Sequence, residues 1–373
     1  MAPRWMLLVL SVTGVLVTAS AFSYDAQGFV GDIRPVWSDD QMAQCSGNFG
    51  RPNMVATPSG IIVVGDCCAE DACNNNGKED AVVAPDDYSQ GAYLVMTRTQ
   101  DLGKTWHHFQ NLTDTHGTMN GAAIVYDPDT KKTILWAQHI PGGNSKQSFH
   151  VKYYVRTSDD DGISWSPLHD VTNQVAHCSP EKNMLLKSAG NSVVNNGRIV
   201  LPMNDHSNHG RIFYSDDGGA TWNCSNLFPS LEVSVAAVPG THTTLYMNGR
   251  PLNGYAPHRT DYWSHDNGAT WTQGQKSQLQ SPQGGPCERS LVEDGAYLVS
   301  GAPTGYHRTN MQVACSKDGG HTWPSTLSVN HGPGGYSTLA AVDGGVFMVW
   351  QDQKAHAGEP HNFVCAQISD GWC

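Results

Sequence analysis

One octapeptide constrains this chain more than anything else in it: Ser/Thr, any residue, Asp, any, Gly, any, Ser/Thr, Trp. It occurs five times, at Thr99–Trp106, Ser158–Trp165, Ser215–Trp222, Ser264–Trp271 and Ser316–Trp323. The Asp accepts hydrogen bonds from the backbone of its own turn. The Gly takes a backbone conformation that side chains reach only with strain. The Trp buries a large ring and pins the hairpin to the layer beneath. Each copy follows a strand-like run, such as Ala92–Arg98 or Arg211–Tyr214. The copies recur roughly every fifty to sixty residues, which marks one supersecondary unit repeated in space. That length suits a four-stranded propeller blade. Five turns in a chain of 373 residues predict an all-β fold, a six-bladed β-propeller whose sixth blade lacks the octapeptide and is closed by both chain ends. No Pro-rich or charged linker interrupts the pattern, so residues 22–373 read as one domain.

Composition agrees. Glycine (39) and tryptophan (11) are abundant and only 15% of residues are charged, as many short strands with tight turns require. The net charge of -12, with no Lys/Arg cluster, argues against nucleic acid as a partner.

The front of the chain has the form of a secretory signal. Arg4 precedes the apolar run Trp5–Val17, and Ala19-Ser20-Ala21 offers a cleavage site, which predicts removal of residues 1–21. The run is shorter than the roughly 20 residues that span a bilayer, so stable membrane insertion is not expected. Ten cysteines behind such a segment point to disulfides in an oxidising compartment. The group Cys67, Cys68 and Cys73 lacks the paired spacing of a metal site. Two N-glycosylation sequons, Asn111-Leu112-Thr113 and Asn223-Cys224-Ser225, fit the same route. The expected location is extracellular, or the lumen of the secretory pathway or lysosome.

The octapeptide resembles the Asp box of the sialidases (neuraminidases), and the resemblance extends along nearly all of the chain after residue 21. It implies a site that binds terminal sialic acid on glycans. That sugar carries a carboxylate on its anomeric carbon, and arginine's planar fork suits a carboxylate better than lysine does. Three arginines match the family's motifs. Phe49-Gly-Arg51-Pro52 resembles the first motif, with Arg51 directly before Pro52 where the family usually has one residue between. Arg250, closing Leu245-Tyr-Met-Asn-Gly-Arg250, resembles the second, and Arg308, between Pro303 and the fifth box, the third.

The resemblance further places the nucleophile at Tyr336, in Gly332-Pro-Gly-Gly-Tyr336-Ser337-Thr-Leu339 followed by Asp343-Gly344. A neutral tyrosine avoids the repulsion that an anionic nucleophile would meet beside the sugar carboxylate, and sialidases are an exception to the usual carboxylate nucleophile. Its hydroxyl needs a base, assigned to Glu232 in Leu231-Glu232-Val-Ser-Val. The acid/base falls to Asp87 in Asp86-Asp87-Tyr88, with Asp86 as the alternative. Trp350-Gln351-Asp352 stands where the family often has a glutamate that orients the first arginine, which gives Asp352 that supporting role.

The implied reaction is exo-acting, retaining hydrolysis of sialylated glycans, without cofactor or metal; no His-Glu-x-x-His spacing occurs. A trans-sialidase, a Kdn-preferring sialidase and an inactive sialic-acid-binding propeller are the alternatives.

Overall fold

A computed structural model of the protein describes residues 30–44, 48–68, 92–113, 118–140, 151–178, 184–185, 190–205, 209–251, 258–284, 286–352 and 362–373. The expected signal segment, Cys45, Cys73, Asp86 and Asp87 lie outside the described residues.

The described strands form six antiparallel sheets. The first blade runs Asn48–Thr57, Gly60–Cys68, Ala92–Thr99, His107–Asn111, and the second Thr118–Asp127, Lys132–Ile140, Lys152–Ser158, His169–Asp170. In the third, Met184–Leu185 and Val193–Asn195 both pair with Arg198–Asp205, followed by Gly210–Ser215 and Asn223–Cys224. The fourth is Ser230–Ala237, Leu245–Pro251, His258–Ser264, Thr272–Gln280, and the fifth Ser290–Asp294, Tyr297–Gly305, Thr309–Ser316, Ser325–Pro333. The sixth takes Ser337–Val342, Gly345–Asp352 and Asn362–Ser369 from the end of the chain and its fourth strand, Arg34–Pro35, from the front. The first strands of successive blades touch one another around the ring, and that of the sixth touches that of the first. The architecture is the expected six-bladed propeller, closed as the five-box count predicts.

Each box turns the chain from the third strand of its blade to the fourth. All five share one hydrogen-bond pattern. In the first, Thr99 Oγ1 donates to Asp101 Oδ1 (2.8 Å) while Gly103 N–H donates to Thr99 Oγ1 (2.9 Å). Thr105 closes the loop, its N–H and hydroxyl donating to the two oxygens of Asp101 at 2.9 and 2.6 Å. The fifth repeats this with Ser316, Asp318, Gly320 and Thr322. Gly320 shows why glycine stands there: its φ is +93°, and a Cβ would lie 2.6 Å from the Tyr246 ring of the preceding blade. Trp323 then packs 5.7 Å from Tyr246 and donates to the Gly320 carbonyl.

Apolar clusters fill the gaps between blades, so each blade buries its faces only against its neighbours. Trp136, Phe213 and Trp222 interlock across the second and third blades at 5.1–5.2 Å. Disulfides join Cys178 to Cys224 and Cys315 to Cys373, and Cys67 is also disulfide-bonded. Cys287 and Cys365 depart from the general expectation of pairing. Both are free and buried, and Cys365 packs as a small apolar residue against the box glycine Gly103.

Three innermost strands share a distortion near their start. Register shifts fall at Gly50/Asn53, Asn120/Ala123 and Leu231/Ser234. Within each shift one residue adopts a left-handed conformation: Arg51 (φ 49°), Gly121 (φ 62°) and Glu232 (φ 46°). Such bulges re-aim a side chain at the cost of local pairing, and two of the three residues are charged.

Candidate active site

The bulge in the fourth blade turns Glu232 out of the strand alternation, and its N–H is caught by Asn204 Oδ1 (3.0 Å) from the third blade. Arg250 lies on the neighbouring strand, opposite Leu231. Its Nη1 donates to Glu232 Oε2 at 2.7 Å, and both side chains are largely buried. The other oxygen, Oε1, accepts from the Tyr336 hydroxyl at 2.8 Å. Tyr336 enters from just before the first strand of the sixth blade, where its carbonyl accepts from Gln351 N–H. Arg308 comes from the turn before Thr309–Ser316, where His307 (φ 51°) and Arg308 (φ 59°) are both left-handed. Its guanidinium carbon stands 5.5 Å from the Tyr336 ring centroid, and its Nη2 donates to the Pro286 carbonyl. Three blades therefore bring Glu232, Arg250, Arg308 and Tyr336 into one cluster.

The electrostatics of this cluster divide the proton clearly. Burial alone would raise the Glu232 carboxyl, but the charge and hydrogen bond of Arg250, the Tyr336 hydrogen bond and the Arg308 charge outweigh it and hold it at about 2. Burial and the Glu232 charge push the Tyr336 hydroxyl up, against the pull of Arg308 and Arg250. At rest the tyrosine is neutral and the glutamate ionised. Proton transfer between them runs uphill unless it is coupled to bond formation at the phenol oxygen.

Arg51 occupies the first-blade bulge and pairs with Asp66 Oδ2 at 3.4 Å. Gly121 N–H, in the second-blade bulge, donates to Asp66 Oδ1 at 3.1 Å. Burial raises the Asp66 carboxyl to about 6, although Arg51 and the Gly121 N–H oppose the rise. Asp66 was not among the residues singled out from sequence. Its signal was present, as a lone carboxylate at the end of the apolar run Gly60–Gly65. Asp352 ends the second strand of the sixth blade, half-buried opposite Asn362. Its neighbour Gln351 donates to the Phe49 carbonyl at 3.1 Å, two residues before Arg51.

Among the described residues, one group has metal-ligand side chains in reach of one another: His177, Cys178 and Cys224. Its two sulfurs are joined in a disulfide. No helix among the described residues is long and apolar enough to cross a membrane.

Comparison with known proteins places the chain in a family. The BNR repeat-like domain model matches residues 92–349. A sialidase of Bacteroides fragilis (strain YCH46) is 27% identical over 297 residues, covering 69% of this chain and 53% of that protein. Sialidase-3 of Rattus norvegicus is 27% identical over 272 residues, covering 55% of this chain and 64% of that protein. The chain thus spans less than two thirds of the length of these relatives. Among solved structures, the intramolecular trans-sialidase from Ruminococcus gnavus, in complex with oseltamivir carboxylate, superposes with a TM-score of 0.68 at 15% identity, covering 91% of this chain and 97% of that one. The Hadza microbial sialidase Hz136 gives 0.67 at 22% identity, over 86% and 65%. The chain belongs to the BNR repeat-like domain family, on the six-bladed propeller of the sialidases.

Proposed function

We propose that the protein is an exo-α-sialidase that releases terminal sialic acid from glycans with retention of configuration. The observation that carries this reading is the 2.8 Å contact from the Tyr336 hydroxyl to Glu232, with Arg250 and Arg308 on either side. A buried phenol beside an ionised carboxylate is a nucleophile with its base. The two arginines supply positive charge for the sugar's carboxylate, and Arg51 is the third ligand in this reading. Glu232 takes the phenol proton as the Tyr336 oxygen bonds to the anomeric carbon. The glycosidic oxygen leaves with a proton from Asp87. Water, deprotonated by Asp87, then displaces the tyrosine, which recovers its proton from Glu232. Asp352 supports the first arginine from the sixth blade.

The likeness to an intramolecular trans-sialidase over nearly its full length keeps sugar transfer as a second reading. Fluorogenic release from 4-methylumbelliferyl N-acetylneuraminic acid, followed by chromatography of the sugar product, tests both. Free sialic acid supports the hydrolase, an anhydro sugar or a sialylated acceptor supports the transferase, and no turnover sinks both. The Kdn glycoside run in parallel reads the preference among sugars.

On the leader-like front segment and the two sequons we further propose that the protein is a secreted glycoprotein, cleaved after Ala21 and folded as one domain over residues 22–373. Asn111 and Asn223 both lie exposed on the outermost strands of their blades, open to glycosylation. Amino-terminal sequencing of secreted material, and a mobility shift on enzymatic deglycosylation, check these points.

A further inference from the structure

Glu288 is fully buried, and neither of its carboxyl oxygens has a hydrogen-bond partner. The segment carrying it is fixed on both sides. The Pro286 carbonyl accepts from Arg308 Nη2 at 3.0 Å, and the Cys287 carbonyl accepts from Arg259 Nη1 at 2.8 Å. Arg259 is itself buried and donates through Nε to Asn248 Oδ1. One nitrogen each of Arg250, Arg259 and Arg289 also lacks a partner. Unpaired donors and acceptors therefore share one interior region.

The groups acting on the Glu288 carboxyl are Glu232 from Ser230–Ala237, Arg250 from Leu245–Pro251 and Arg259 from His258–Ser264. Cys287 and Arg289 flank it in its own segment. A buried carboxylate without a donor loses its hydration and gains nothing in return, so the neutral acid is favoured. Burial and the Glu232 charge push the Glu288 carboxyl well above the usual carboxylate range, against the pull of the two arginines.

We propose that Glu288 is a positioning residue of the candidate site, whose buried and unpartnered carboxyl, carried uncharged in the segment that Arg308 and Arg259 hold, leaves the positive charge of Arg250 to an anionic sugar. This rests on the sialidase reading and adds to it a residue that touches neither the sugar nor the nucleophile. An ionised Glu288 would compete with the sugar carboxylate for Arg250, the one arginine that acts on both. At an effective dielectric of about 20, a unit charge even roughly 12 Å away weakens binding by about tenfold.

The test is KM for 4-methylumbelliferyl N-acetylneuraminic acid, measured from mildly acidic to alkaline pH in wild type, Glu288→Gln and Glu288→Met. Methionine needs no hydrogen-bond partner, so it serves where the glutamine variant fails to fold. The three KM values are expected to agree at the acid end, while wild-type KM climbs about tenfold above both variants at the alkaline end. Any effect of Asp66 is common to all three proteins and cancels in the ratio. A ratio that stays constant across pH overturns the proposal, as does a raised KM in the variants at acid pH. Difference infrared spectra over the same titration give a readout that needs no turnover. Beyond the band that Asp66 loses near pH 6 in all three proteins, wild type should lose at higher pH a second carbonyl band of a protonated carboxylic acid, which both variants lack from the outset. Its absence from wild type overturns the proposal. Its presence in a wild type without turnover upholds the uncharged carboxyl and sinks the sialidase reading instead.

Discussion

The Tyr336 hydroxyl and the Glu232 carboxylate meet at 2.8 Å although 104 residues separate them in the chain. The first precedes the inner strand of the sixth blade and the second occupies a bulge in the fourth. Ring geometry, not chain proximity, makes the contact. Under the sialidase reading, Tyr336→Phe removes the attacking oxygen and leaves Glu232 its Arg250 partner. The expected result is a loss of kcat by about 10³-fold or more, with the melting temperature little changed.

Glu232→Gln should behave differently from the tyrosine variant. It keeps the shape but removes both the base and the counter-charge of buried Arg250. We expect kcat to fall by about 10²–10⁴-fold, and stability by about 3 kcal/mol because an unpaired buried guanidinium is left behind. Chemical denaturation beside single-turnover kinetics separates the two effects.

Asp66 gives stability a pH dependence of defined sign. Its folded-state carboxyl sits at about 6, above the unfolded value, so the folded protein binds the proton more tightly. That contribution is full below the unfolded carboxylate pKa and is lost as pH rises through about 6. Asp66→Asn removes it. The stability difference between the two proteins should therefore change between about pH 4 and pH 6 by on the order of 2–3 kcal/mol, wild type losing ground as pH rises. A difference that is flat across this window rejects the assignment.

Gly320→Ala places a methyl group against the Tyr246 ring and forces alanine to a φ of +93°. Backbone strain and overpacking together predict a loss of about 1–3 kcal/mol, read as a lower melting temperature.

The Cys178–Cys224 disulfide closes a loop of 46 residues between the second and third blades. Loop entropy assigns it about 4 kcal/mol, so the paired serine variant should unfold at markedly lower denaturant with its propeller circular dichroism intact beforehand.

The ring was readable in the sequence because each box is self-contained. Asp101, Asp160, Asp217, Asp266 and Asp318 bind only groups within their own octapeptides in closing these turns, so local spacing specifies the hairpin. Tyr336, Glu232, Arg250 and Arg308 were marked by motif resemblance, and they come together in one cluster. Asp66 and Glu288 were not marked. Asp66 meets Arg51 through cross-strand register beside a bulge, and no local pattern announces where a strand will bulge. Glu288 reads as an ordinary surface-type residue until the fold surrounds it, since glutamate is almost never fully buried. The acid/base pair Asp86 and Asp87 lies outside the described residues.

The sixth blade sets the order in which the molecule can be completed. Arg34 and Pro35 leave the ribosome among the first residues of the fold, yet their partners, Val364 and Cys365, are among the last. Until those emerge, the front segment has no edge to join, and Gly345–Asp352 is left as the open edge of the sixth blade. Five blades can zip in sequence by short-range contacts, but the circle closes in a single late event. A nascent chain stalled before residue 362 would carry one unpaired strand edge, at Gly345–Asp352, the kind of edge that chaperones hold and that finds another chain when they do not.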